Sequence, residues 1–124
     1  MSKKIVIIDD AEDLLKIFEL RFKAAGFEVL VAQDGQKGLE LVKESQPSVV
    51  LTDHTLPGMT GLEIKKSLNS DESTKNIPVV LLTGHNDPEE KAKAEEIGIS
   101  LYVVKPIDAT DLIDKIQEIL SSSA

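Results

Sequence analysis

The chain has 124 residues, enough for one domain around one core. With 41% hydrophobic and 29% charged residues its composition is globular, and a formal net charge of -8, from 14 basic and 22 acidic side chains, argues against a nucleic-acid backbone or an anionic membrane as main partner. The absence of cysteine excludes a disulfide framework and a thiolate metal site.

Met1-Ser2-Lys3-Lys4 leads straight into Ile5-Val6-Ile7-Ile8. That run is too short for a signal-peptide core or a membrane span and reads as a strand, so a cytoplasmic location is expected. It stops at Asp9-Asp10. Leu14, Phe18, Phe22 and Ala25 then recur near the 3.6-residue period and define a first helix, which Gly26 ends. Leu15, Ile17 and Leu20 lie beside that stripe; they either thicken the core face or form an exposed apolar strip suited to a helical partner. A second β-rich run covers 27–31. Asp34-Gly35 starts a second helix carrying Leu39 and Val42. The third run, at 49–51, continues through Thr52 to Asp53.

Thr60-Gly61-Leu62-Glu63 has capping-box form and opens a third helix. The fourth run, 79–82, stops at Thr83. Asp87-Pro88-Glu89-Glu90 then supplies a cap, a first-turn proline and early acids for a fourth helix. The fifth run, 101–104, is interrupted by Tyr102 and stops at Lys105-Pro106. Asp108-Ala109-Thr110-Asp111 opens a fifth helix with Leu112, Ile113, Ile116, Ile119 and Leu120 inward or nearly so, and Ser121-Ser122-Ser123-Ala124 reads as a frayed end.

Short runs apolar on both faces, alternating with helix-length amphipathic stretches, specify an α/β fold with a parallel sheet covered by helices on both sides. No repeat, linker or low-complexity segment divides the chain, so 1–124 is expected as a single domain without an effector domain.

In such a sheet the carboxyl ends of the strands share one edge, and ligands bind there. That edge gathers Asp9, Asp10 and Asp53 with Thr83 and Lys105. Two unit charges at about 4 Å repel by about 4 kcal/mol at an effective dielectric near 20, so three carboxylates need protons or a cation. A hard divalent ion with oxygen ligands, Mg²⁺ (or Mn²⁺), answers that need. Lys105 and Thr83 beside the ion suit an incoming group rich in anionic oxygens, and a carboxylate can take phosphoryl as a nucleophile. Each residue alone has a plainer reading. Asp9-Asp10 could be a helix cap, Asp53 a loop acid, Lys105 a solvated amine and Tyr102 a half-buried strand aromatic. His54 and His85, lacking a third nitrogen or sulfur ligand, read as loop residues rather than a metal site.

Ile7-Ile8-Asp9-Asp10, Asp53-His54-Thr55-Leu56-Pro57-Gly58-Met59-Thr60-Gly61, the strand-ending Thr83 and Lys105-Pro106 together resemble the receiver domain of two-component response regulators. The resemblance covers nearly the whole chain in the right order. It implies a flavodoxin-like (βα)5 fold with strand order 2-1-3-4-5, which sets the first and third strand ends side by side. It further implies that Asp53 is the phosphoacceptor, that Asp10 ligates Mg²⁺ directly, and that Asp9 holds the ion mainly through water. The Thr55 backbone carbonyl would complete the metal shell, Lys105 would pair with the phosphoryl group, Thr83 would move toward it and Tyr102 would swing inward behind. Pro106 matches a proline that follows a cis peptide. Gly84 stands where alanine is usual, and His54 is an uncommon neighbour of the acceptor.

The implied function is a phosphorylation-dependent switch, not an enzyme with an external substrate. Its donor would be a sensor histidine kinase or a histidine phosphotransfer protein. Its output would be contact with a downstream protein or phosphoryl relay, with no nucleic-acid or membrane partner and a monomeric state. The fourth helix, last strand and fifth helix are the expected output face, with Lys91, Lys93 and Tyr102 as contact candidates. A receiver piece of a larger regulator or hybrid kinase is the alternative. An aspartyl phosphohydrolase fits less well, since Thr55 stands where such enzymes carry a second acid. A flavodoxin would need a Ser/Thr/Gly-rich phosphate loop where this chain has Asp9-Asp10.

Overall fold

Valine, isoleucine and leucine fill both faces of five short segments, and in the computed structural model, which describes residues 3–122, each becomes a strand of one parallel sheet. In chain order the elements are β1 (Lys4–Ile8), α1 (Glu12–Ala24), β2 (Glu28–Ala32), α2 (Gly35–Ser45), β3 (Val49–Asp53), β4 (Thr55–Leu56), β5 (Met59–Thr60), α3 (Gly61–Asn69), β6 (Val79–Thr83), α4 (Pro88–Glu96), β7 (Leu101–Val104) and α5 (Ala109–Ser122). The sheet runs β2-β1-β3-β6-β7, which is 2-1-3-4-5 when the five long strands alone are counted. The flavodoxin-like α/β fold expected from the sequence is therefore the one observed.

Alternation along the strands feeds two core layers. Ile5, Ile7, Val49, Leu51, Val80 and Leu82 pack with Leu15, Phe18 and Phe22 of α1 and Leu112 and Ile116 of α5. Val6, Ile8 and Val50 pack with Leu39 and Val42 of α2 and Ile64 and Leu68 of α3. Gly38 lets α2 lie close on β1, because a Cβ there would collide with the Ile8 side chain. In α4, by contrast, Ala94 is the one buried residue.

The local signals act where expected. Asp34 accepts from the Lys37 N–H at 2.8 Å and Asp87 from the Glu89 N–H at 3.0 Å. Thr60 and Glu63 form a reciprocal capping box at 3.1 and 2.9 Å. Gly26 turns the chain out of α1 with φ +96, a conformation that favours glycine.

Three details differ from the sequence reading. The inward face of α1 is Leu15, Phe18 and Phe22; Leu14 is only partly buried, and Ala25, at the cap, is exposed. α5 continues to Ser122, so the expected fray is helical that far, while Ser123 and Ala124 lie outside the described residues. The short antiparallel pair β4 and β5 was not foreseen. Among the described residues no helix is long and apolar enough to cross a membrane.

Candidate functional site

Register decides which strand ends meet. Ile8 pairs with both Ala32 and Thr52, so Asp9 emerges beside Asp53. Thr83 pairs with Val104, and the Lys105 N–H donates to the Thr83 carbonyl at 2.7 Å, which carries the ladder one residue past the strand. The Lys105-Pro106 peptide is cis, as the resemblance implied.

Asp9, Asp10 and Asp53 each offer a carboxylate oxygen within 4.8 Å of the others. Asp9 is buried at 1% exposure; its Oδ1 accepts from the Ala11 N–H at 2.9 Å, and its Oδ2 has no hydrogen-bond partner among the described residues. The Lys105 Nζ sits 3.6 Å from that oxygen and 3.3 Å from Asp53 Oδ1, bridging the two acids. Burial pushes the Asp53 carboxyl above the usual carboxylate range; the Lys105 ammonium opposes this and the Asp9 charge adds to it. A largely buried carboxylate held between a cation and like charges has unspent capacity for positive charge. That is the donor set a hard divalent ion takes, and the orphaned Asp9 oxygen fits it.

Around this centre the structure places the other sequence-predicted residues. Thr55 is exposed and pairs with Thr60 across the β4 and β5 turn, directly after β3. Thr83 is buried, its hydroxyl accepting from the His85 N–H at 3.3 Å. The Tyr102 hydroxyl bonds Glu90 Oε1 at 2.9 Å and the His85 carbonyl at 3.1 Å. Burial first, then the Glu90 carboxylate, raises the Tyr102 pKa, while the Asp87 backbone and the Thr83 hydroxyl oppose the rise. Lys91 and Lys93 are exposed on α4, and on α1 Ile17 and Leu20 are exposed at 51% and 69% whereas Leu15 joins the core. The apolar strip beside the acidic edge thus consists of the last-named pair without Leu15.

Two structural features beside Asp53 escaped the sequence reading. His54 is not a plain loop residue: its Nε2 lies 3.3 Å from Glu90 Oε2, with both side chains largely buried. Glu90 read only as a first-turn acid, and no local spacing links it to His54. Gly61 read as part of a cap, but a Cβ there would stand 2.8 Å from the Asp53 carbonyl oxygen, so glycine at this point lets α3 seat closely against β3.

A family model described as the response regulator receiver domain matches residues 5–117. The chain is 31% identical over 123 residues to the polar-differentiation response regulator DivK of Brucella ovis, covering 99% of this chain and 100% of DivK. It is 29% identical over 120 residues to the phosphate regulon transcriptional regulatory protein PhoB of Pseudomonas aeruginosa, covering 97% of this chain but 52% of PhoB, so it spans about half of that relative. The chemotaxis response regulator CheY4 of Vibrio cholerae superposes with a TM-score of 0.90 at 27% identity, over 96% of this chain and 99% of that one. A CheY-like receiver domain protein from Methanospirillum hungatei gives 0.92 at 26% identity, over 98% and 96%. A sheet order that brings the first and third strand ends together, and a family match that runs through all five long strands, make this chain a member of the response regulator receiver domains, the signalling domains of two-component systems.

Proposed function

We propose that Asp53 accepts a phosphoryl group from a phosphohistidine on a sensor histidine kinase or histidine phosphotransfer protein, and that the new charge resets Thr83 and Tyr102. The observation that carries this reading is the Asp53 carboxylate, largely buried and 3.3 Å from the Lys105 ammonium, with Asp9 and Asp10 alongside. An Asp53 oxygen attacks phosphorus, the donor's P–N bond breaks, and the imidazole leaves with the electron pair and takes a proton from solvent. Lys105 neutralises oxygens of the arriving group, a role that costs no reorganisation because Asp9 and Asp53 already hold the amine in place. Asp9, Asp10, Asp53 and the Thr55 carbonyl would hold Mg²⁺, which when bound draws charge off the transferring oxygens.

The donor docks beside the edge, where Ile17 and Leu20 stand exposed and Leu14, Phe18, Pro106 and Ile107 line a cavity of about 190 Å³ with the Lys105 stem. Output, from a cytoplasmic monomer, passes through α4, β7 and α5, with Lys91, Lys93 and Tyr102 as contacts for a downstream protein.

Incubation with acetyl phosphate and Mg²⁺ is expected to add one phosphoryl mass to the intact protein. Chelation of the metal and the Asp53→Asn substitution should each abolish it, and Lys105→Ala should reduce it strongly. A phosphoryl mass that persists in Asp53→Asn would overturn the assignment.

A further inference from the structure

The residue that follows the acceptor is wired in two directions. The His54 N–H donates to the Leu82 carbonyl at 2.7 Å and to Asp53 Oδ1 at 3.0 Å. Its imidazole points the other way, with Nε2 3.3 Å from Glu90 Oε2 and Nδ1 buried without a hydrogen-bond partner among the described residues. The second oxygen of the same carboxylate, Oε1, accepts from the Tyr102 hydroxyl at 2.9 Å. The Glu90 side chain is 13% exposed, so water weakens neither its hydrogen bond from Tyr102 nor its contact with His54 very much.

We infer that Glu90 is a two-armed positioning residue that couples His54, and through its peptide the Asp53 carboxylate, to the orientation of Tyr102. Hydrogen bonds to a carboxylate are the stronger kind, and without Glu90 the Tyr102 hydroxyl keeps only the neutral His85 carbonyl at 3.1 Å. The bridge also matters more on α4 than it would elsewhere, because Ala94 is the one apolar side chain that helix buries. A change at Asp53 Oδ1 alters the acceptor of the His54 N–H, and the imidazole, Glu90 and Tyr102 follow in sequence. Tyr102 thus answers to His54 as well as to Thr83. The resting bridge stands on geometry alone; only its response to phosphorylation rests on Asp53 being the acceptor.

Tyr102 is the single tyrosine and the chain has no tryptophan, so tyrosine emission reports this hydroxyl alone. Hydrogen bonding to a carboxylate quenches that emission. In the unphosphorylated protein, Glu90→Ala is expected to brighten Tyr102. His54→Ala, although it touches no atom of the tyrosine, should also change its emission. His54→Gln, which keeps an N–H donor, should return it toward wild type, and His54→Ala should add nothing in the Glu90→Ala background. Unchanged emission in His54→Ala, or an equal change with and without Glu90, overturns the coupling. With acetyl phosphate and Mg²⁺, Glu90→Ala should gain the phosphoryl mass yet lose most of the emission step seen in wild type; an undiminished step overturns the response. Failure of the wild-type protein to gain the mass would instead refute Asp53 as acceptor and leave the resting bridge standing on the first set of measurements.

Discussion

Lys65 is a buried amine at 5% exposure on α3, and among the described residues its Nζ donates only to the Lys75 carbonyl, at 3.4 Å. Burial pushes its pKa below the ordinary lysine value of 10.5. Between the lowered value and 10.5 the unfolded chain binds more protons than the folded one, so stability rises with pH across that window and the penalty is fully present below it. Lys65→Met, which keeps length and removes charge, is therefore expected to raise the urea midpoint at neutral pH. The gain should shrink as pH approaches 10.5, and unfolding curves at several pH values check it. At this scale the sequence exposed Asp9, Asp10, Asp53 and Lys105 because each ends an apolar run. It hid Lys65, which has the look of any helical lysine, and it hid the tie between His54 and Glu90, since those partners meet only through the tertiary fold.

Elements became legible in proportion to how local their signals are. The caps at Asp34, Thr60 and Asp87 were readable because donor and acceptor lie within a few residues of each other. The β4 and β5 strands, two residues each, are too short to carry a period, and the inward face of α1 shifted to Leu15 because the first-turn phase is set by what α1 packs on. The seating of α3 shows an element constrained at a single point. Gly61→Ala would drive a methyl against Leu81 and to 2.8 Å from the Asp53 carbonyl, and a backbone atom yields less easily than a side chain tip. A loss of about 1–3 kcal/mol is expected from such overpacking. Because the displaced backbone is that of Asp53, the proposed acceptor, the yield of phosphoryl adduct should fall as well, which denaturant unfolding and intact mass read separately.

For the molecule as a whole, the pattern of short, doubly apolar runs and intervening helices was enough for a parallel sheet with two helical layers. It was not enough for the order of the strands, which non-local pairing decides; the order came from the resemblance at Asp9-Asp10, Asp53 and Lys105-Pro106, and the observed sheet agrees. The division of labour between layers was likewise invisible. α1, α2, α3 and α5 each bury a row of side chains, whereas the residues of α4 turn mostly to water.

That uneven burial has a kinetic meaning. Segments with little buried apolar surface open locally, at a cost below that of global unfolding. Native-state hydrogen exchange should find the α4 amides exchanging through such openings, well ahead of those of α5, with wild type retaining more protection in α4 than Glu90→Ala. Equal, globally limited exchange in the two helices would contradict this. A helix that can lift and reseat while four others hold the sheet lets the domain change its outward face without spending the stability of its core.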